Sequence, residues 1–245
     1  MIKVLGVCGS PRVGNSKYLL DEALKAAKET NKDVEIEYVS IRGKKISGCV
    51  MCQACEKDGE CVIKDDFQEI MTKWLSADVI LYSVPVYHMG MPAQLKAFLD
   101  RLGNSFFGRY ANDFPEGTAV LPRTLKVIGT IAQGAHIFSG QEHTITQMIN
   151  HTMIMGCVPV TGDMWESYIG AGGWTYNETG RTSIEEQVKA GRNDALVAVR
   201  GSKSLAKRAV ELSMILKSGG LEKQDYLEKS PTYKPFLNRI NEIRE

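Results

Sequence analysis

Apolar and polar positions along the 245-residue chain follow two periods in alternation. Residues 2–7 are an unbroken, β-rich apolar run, the pattern of a strand covered on both faces. From about Ser16 to Glu29, residues Tyr18, Leu19, Ala23, Leu24 and Ala27 fall on one helical stripe. Val34–Ser40 alternates and predicts a second strand nearer a sheet edge. Asp65 or Asp66 is placed to cap a helix running to about Ser76, and 78–84 predicts the third strand. Residues 92–102 predict a helix with Pro92 in its first turn, where a missing N–H costs nothing. Residues 125–131 predict a fourth strand, 141–155 a helix ended by Gly156, and 158–160 a short fifth strand. Residues 200–218 predict an amphipathic helix with Leu205, Ala209, Val210, Leu212 and Leu216 on its apolar side. This alternation predicts an α/β fold: a doubly wound, five-stranded, mostly parallel sheet with helices on both faces.

Three stretches break the pattern. Residues 42–65 are irregular and carry clustered cysteines. Residues 162–182 are rich in glycine and aromatics (Trp165, Tyr168, Trp174, Tyr176) without a period; they predict an ordered surface excursion, or a flap or subunit contact beside a cofactor. Residues 219–245 are charged and predict a loosely packed C-terminal extension behind a domain spanning 1–218.

The chain is 43% hydrophobic and 24% charged, an ordinary globular composition. A formal net charge of +1 offers no basic field for nucleic acid. No window reaches 18 uninterrupted apolar residues, so neither a membrane span nor a membrane partner is expected. The short apolar N-terminus runs straight into Cys8-Gly9-Ser10-Pro11-Arg12, which reads as a buried strand entering a functional loop, not a signal peptide. A cytoplasmic location is expected.

In an open parallel sheet, ligands bind beyond the carboxyl ends of the strands. The loop Gly9-Ser10-Pro11-Arg12-Val13-Gly14-Asn15-Ser16 joins a buried strand to a helix N-terminus, whose free N–H groups and dipole favour an anion. Ser10, Asn15 and Ser16 add short polar side chains, and Arg12 a charged fork. The loop has neither the G-x-G-x-x-G pattern of dinucleotide sites nor the Gly-Lys-Ser/Thr of a P-loop. It suits one terminal monophosphate; the plainer alternative is a polar loop with a capping serine. After the third strand, Pro85-Val86-Tyr87-His88-Met89-Gly90-Met91-Pro92 is apolar, aromatic and stiffened by proline, a candidate wall for a flat ring. His88 alone is equally a packed or solvated histidine.

These motifs, with Ala93-Gln94-Leu95-Lys96 and Asp100-Arg101, resemble the NAD(P)H-dependent FMN reductase branch of the flavodoxin-like fold over about residues 1–160. The resemblance implies that Ser10, Arg12, Asn15 and Ser16 hold the FMN phosphate. It implies that Pro85, Val86, Tyr87, His88, Met89 and Gly90 flank the isoalloxazine, and that Gln133 and Gly134 begin a third flavin loop after strand four.

Six cysteines stand at 8, 49, 52, 55, 61 and 157. The chain's size and lack of a signal argue against a disulfide scaffold. Cys49, Cys52, Cys55 and Cys61 form C-x2-C-x2-C-x5-C, closer to [4Fe–4S] ligation than to the paired knuckles of zinc, although zinc and redox-switching thiols remain alternatives. Cys8 and Cys157 read as packed small residues. Lys44, Lys45, Lys57 and Lys64 are candidates for a cationic shell, or simply a solvated charged loop.

Placed in the segment after strand two, the cysteine motif resembles the iron–sulfur flavoprotein family. That resemblance implies FMN and a [4Fe–4S] cluster on one chain, in a homodimer or homotetramer with one subunit's cluster near another's flavin. It implies a flavin-dependent oxidoreductase that moves electrons between a ferredoxin-like one-electron donor and FMN and reduces a small-molecule acceptor. The alternatives are an NAD(P)H-dependent FMN/quinone reductase and a zinc-stabilised FMN-binding regulatory module. No side-chain array stands out as a catalytic centre separate from the cofactors.

Overall fold

The computed structural model describes residues 1–114 and 120–241. β1 (Ile2–Cys8), β2 (Val34–Ser40), β3 (Val79–Pro85), β4 (Val127–Gly134) and β5 (Val158–Pro159) pair in parallel in the order β2-β1-β3-β4-β5. The chain leaves β1 for β2 on one side and returns to β3 on the other. The order therefore reverses between β1 and β3, which leaves a crevice at their carboxyl ends. β3 is buried throughout and its side chains alternate between two cores: Val79 and Leu81 enter one, Ile80, Tyr82 and Val84 the other. The first core lies under α1 (Asn15–Thr30) and the long α6 (Asn193–Glu222). The second lies under α2 (Phe67–Ser76), α3 (Ala93–Tyr110) and α4 (Gln141–Ile154).

Among the described residues the sheet has six strands where five are expected. β6 (Ala171–Trp174) pairs with the carboxyl half of β4, from Ile131↔Ala171 to Gly134↔Trp174, whereas β5 pairs with Val127 and Ile128. One edge position is filled in two pieces, with residues 160–170 looped out between them. Part of the aromatic stretch is thus sheet and not surface excursion. Its sequence, Ala-Gly-Gly-Trp, hides it because glycine weakens a strand pattern. Gly173 is small for a packing reason: a Cβ there would lie 3.1 Å from that of Ala198.

α3 runs to Tyr110, beyond the expected end at 102. Gly103, Asn104 and Ser105 read as a stop, but Phe106 is buried edge-on against Trp74 (6.0 Å) and Tyr110 (5.1 Å), and this packing overrides local propensity. At the start of α2, Asp65 accepts the Phe67 N–H at 3.0 Å, while Asp66 accepts the Lys45 N–H at 2.7 Å.

Residues 219–241 do not trail loosely. α6 continues through 218, and α7 (Gln224–Leu227) and α8 (Lys234–Asn241) fold back. The charges of α8 are spaced so that Phe236, Leu237 and Ile240 share a buried face against Leu125, Leu221, Leu227 and Tyr233. Below that face, buried Asp78 accepts from Lys3 N (2.9 Å), Lys217 Nζ (2.9 Å) and Arg239 Nε (3.1 Å). Burial pushes the Asp78 carboxyl up, but the Arg239 and Lys217 charges outweigh it and hold the group below the usual carboxylate range.

Candidate functional site

Loop 9–14 leaves β1 at the carboxyl edge of the sheet. Ser10 folds it, donating from Oγ to the Arg12 carbonyl at 2.8 Å and accepting the Arg12 N–H at 3.2 Å. Arg12 is exposed; Ser10, Asn15 and Ser16 are buried. Among the described residues no side chain caps α1, and its first N–H groups, which have no intrahelical acceptor, face the turn of the loop. Asn15 is already engaged: Nδ2 donates to Gly180 O at 3.0 Å and Oδ1 accepts the Ile184 N–H at 3.1 Å. Its amide ties the loop to the start of α5 (Ser183–Lys189). Gly14 lets the 180–184 segment approach, since a Cβ there would lie 3.1 Å from Arg181 O.

The loop after β3 is a two-residue hairpin. Tyr87 N–H donates to Gly90 O (2.8 Å) and Gly90 N–H to Tyr87 O (3.0 Å), with His88 at φ 45° and Met89 at φ 66°. Two non-glycine residues in the left-handed region make a strained type I′ turn, the kind of local cost that collects at ligand sites. Pro85 is buried, Val86 half-buried, and Tyr87, His88 and Met89 are exposed. Val86 N–H donates to Gln133 O at 2.8 Å, lacing this loop to the end of β4. Gly140, at φ 103°, lets it rest on α4: a Cβ there would lie 2.7 Å from Met89 Cα and O.

The third loop starts at Gln133 and Gly134. Gln133 is buried, with Nε2 donating to Gly134 O at 2.6 Å. A Cβ on Gly134 would lie 2.5 Å from that of Ser139. Residues after β6 complete the loop: Asn177 N–H donates to Ala135 O at 2.9 Å, and Asn177 Oδ1 lies 2.5 Å from His136 Nδ1. The parallel register aligns Cys8 with Ser83, Pro85 with Gln133 and Gln133 with Gly173, so the three loops emerge along one sheet edge. Beside them Phe138 is 87% exposed, and on the outer sheet edge Trp165 is 89% exposed.

The cysteine segment is built differently. Met51 (φ 52°) and Gln53 (φ 61°) take left-handed conformations on either side of Cys52, and a 3-10 turn spans Ala54–Glu56. These reversals curl the chain so that Cys49, Cys52, Cys55 and Cys61 line one cavity of about 180 Å³, with Val62, Ile63, Phe107 and Asn104 among its other walls. Met51 N–H and Asn104 Nδ2 donate to Cys49 Sγ at 3.4 and 3.5 Å, and Arg101 Nη2 donates to Cys61 Sγ at 3.4 Å. Burial pushes the Cys55 thiol up, and the nearby Cys61, Cys49 and Cys52 push the same way. Among the described residues, no three His, Cys, Asp or Glu side chains meet at the distance needed for one metal ion. Gly108 presses on the segment: a Cβ there would lie 1.9 Å from Cys55 O. Lys44 turns away to Asp66 (3.4 Å) and Glu69 (2.6 Å). Among the described residues the cation that reaches a cysteine sulfur is Arg101, which the sequence offers only within the Asp100-Arg101 motif and not as a partner of the cysteines; neither Asn104 nor Gly108 is a sequence candidate. The signal available for them was a pair of glycines, 103 and 108, in an otherwise helical pattern. Cys8 and Cys157 are both buried, their thiols pushed up by burial, Cys157 to about 11.

Both donor sets fit the groups the motifs imply. The uncapped α1 terminus and polar loop suit a phosphate, and the strained apolar turn suits a ring. A cavity lined by four sulfurs, with N–H donors on two of them, suits a thiolate-ligated cluster.

The sequence profile of the NADPH-dependent FMN reductases matches residues 2–166. An iron–sulfur flavoprotein of Archaeoglobus fulgidus is 35% identical over 194 residues, covering 76% of this chain and 93% of that protein. One from Methanocaldococcus jannaschii is 37% identical over 163 residues, covering 66% and 77%. Among solved structures, RosB with a bound riboflavin-phosphate intermediate superposes with a TM-score of 0.64 at 15% identity, over 94% of this chain and 88% of that one, a likeness of fold.

Proposed function

The chain belongs to the iron–sulfur flavoproteins of the NADPH-dependent FMN reductase family and is a flavin-dependent oxidoreductase, and we propose that it relays electrons between FMN and a [4Fe–4S] cluster held on the same chain. FMN accepts electrons singly or as a hydride, and the cluster moves them one at a time. Ser10, Arg12, Ser16 and the α1 N–H groups hold the phosphate, with Asn15 contributing its backbone. Pro85 to Gly90 flank the ring, and Gln133 and Gly134 shape the third loop. Cys49, Cys52, Cys55 and Cys61 ligate the cluster. The observation that carries this reading is that all four sulfurs line one small cavity, two of them receiving N–H donors. The donor is a ferredoxin-like one-electron carrier and the acceptor a small molecule.

Anaerobic stopped-flow mixing of the reconstituted protein with reduced ferredoxin and, separately, with NADPH tests the donor. Ferredoxin should reduce the flavin faster than NADPH does. Faster reduction by NADPH would favour the second reading, a direct NAD(P)H-dependent FMN/quinone reductase, which the name of the matching family supports. A reconstituted protein that takes up zinc in place of iron and sulfide would favour a zinc-stabilised module. The exposed Phe138 beside the loops, and Trp165 and Tyr168 in the segment between β5 and β6, support assembly into a homodimer or homotetramer, since large apolar groups left open usually mark a contact. Sedimentation at micromolar concentration should show an oligomer; a monomer with full cofactor content would remove that part.

A further inference from the structure

We infer that Arg101 is a positioning residue of the cysteine site: it clasps the cysteine segment shut and sets the cluster's reduction potential through its hydrogen bond to Cys61 Sγ. The inference rests on the cluster reading above.

Arg101 is 1% exposed, although a charged side chain is almost never fully buried unless it is paired. Its fork is almost fully used. Nη1 donates to both Asp65 oxygens (2.7 and 2.6 Å) and to Ser47 O (3.3 Å). Nη2 donates to Ile63 O (2.6 Å) and Cys61 Sγ (3.4 Å), and the guanidinium lies over the Phe67 ring at 4.2 Å. Buried Nε finds no acceptor among the described residues, so the group is placed for its two amino ends. A simple ion pair needs Asp65 alone. This guanidinium instead grips the chain on both sides of the cysteines: Ser47 before Cys49, and Cys61 and Ile63 at the far end. Asp65 closes the same gap by accepting the Ser47 N–H at 2.9 Å.

Arg101, Asn104 and Gly108 stand on one face of α3, and each addresses a different cysteine. Arg101 meets Cys61, Asn104 meets Cys49, and Gly108 admits the Cys55 backbone. Of the three, only Arg101 brings a charge. A one-electron reduction makes a cluster and its thiolates more negative by one charge. A cationic N–H donor on a ligating sulfur, in a cavity walled by Ile63 and Phe107, favours that reduced state and raises the potential.

Anaerobically reconstituted wild type, Arg101→Lys and Arg101→Gln are compared by redox titration followed by electron paramagnetic resonance, with the FMN potential as internal reference. Both variants should show the cluster potential moved negative and the flavin potential unmoved. In cluster-free protein, alkylation of Cys55 and Cys61, which are only half-exposed, should accelerate by about tenfold in Arg101→Gln, the factor expected from losing a hydrogen bond to a charged group, while exposed Cys49 and Cys52 react at the wild-type rate. Variants with unshifted potential and unchanged alkylation overturn the inference. If the variants do not fold, wild type labelled with 15N-arginine supplies the test. The reduced cluster should show a 15N coupling that persists in Arg109→Lys, and its absence overturns the inference. A wild type that takes up no iron and sulfide defeats the cluster reading instead, while the alkylation rates still decide whether Arg101 closes the segment.

Discussion

The loops proposed to hold the flavin hang from the ends of strands, whereas the cysteine segment hangs from side chains. Gln133 and Gly134 end a strand that is buried throughout, and the Val86 N–H to Gln133 O bond extends the ladder into the loop after β3. Main-chain register therefore sets where these loops begin, and Ser10 and Asn15 shape the first of them. Residues 47–65 make no strand pairing. Arg101, Asp65 and Gln68 hold them, the last donating from Nε2 to Ile63 O at 2.8 Å, and Gly108 lets them sit against α3. A site carried by the sheet persists as long as the sheet does. A site fastened by side chains is lost with one of them while the rest of the fold stands.

The largest effect should come from below both sites. Asp78→Asn leaves Lys217 and Arg239 buried without their counter-charge, a loss of about 3–5 kcal/mol of stability by chemical denaturation. Flavin and cluster content should fall together, and selective loss of one would break the comparison. The acid limb carries the same sign. The folded Asp78 carboxyl sits below its ordinary value, so its contribution is complete above about pH 4 and is lost as pH falls below that, a limb that Asp78→Asn should lack.

Gly108→Val separates the regions. Its side chain would collide with the Cys55 carbonyl, overpacking that costs about 3 kcal/mol. Iron and sulfide should drop to background while FMN stays bound; loss of both together would show that the cysteine segment supports the flavin loops. Arg12→Ala is the converse, weakening FMN by about 1.5–3 kcal/mol in fluorescence titration with cluster content unchanged. Unchanged FMN affinity would move the phosphate elsewhere.

An effect confined to acid pH concerns His151 on α4, whose buried Nε2 has no acceptor among the described residues and whose ring stands edge-on to Tyr82 at 6.1 Å. Burial pulls it down to about 4. The unfolded chain takes up a proton that the fold refuses, so stability should decline as pH falls from about 6.5 towards 4. His151→Gln should flatten that decline without altering cluster content.

The difference between the regions also decides what the sequence discloses. β1, β3 and β4 are readable because burial on both faces forces continuous apolar runs, and the loops they launch are found by position. The cysteine spacing is readable because the four thiols recur at short steps along the chain. The contacts of Arg101 and Asn104 with the cysteines are not, since their partners lie 40 and 55 residues away. β6 escapes because two of its four residues are glycine. α8 escapes because its charges mask a narrow apolar face, and Asp78 gives no hint of Arg239, 161 positions on.

Both regions meet in one claim, that a single chain carries FMN and a four-cysteine cluster. Its most direct test is the anaerobic visible spectrum with iron, sulfide and flavin analysis of wild type and of Cys→Ala at 49, 52, 55 and 61. Wild type should hold about four iron and four sulfide per FMN, the composition of a [4Fe–4S] cluster, and each variant should lose iron and sulfide while keeping FMN. Variants that keep full iron and sulfide with an unaltered reduced-state resonance signal, or a wild type that binds only zinc, would contradict it.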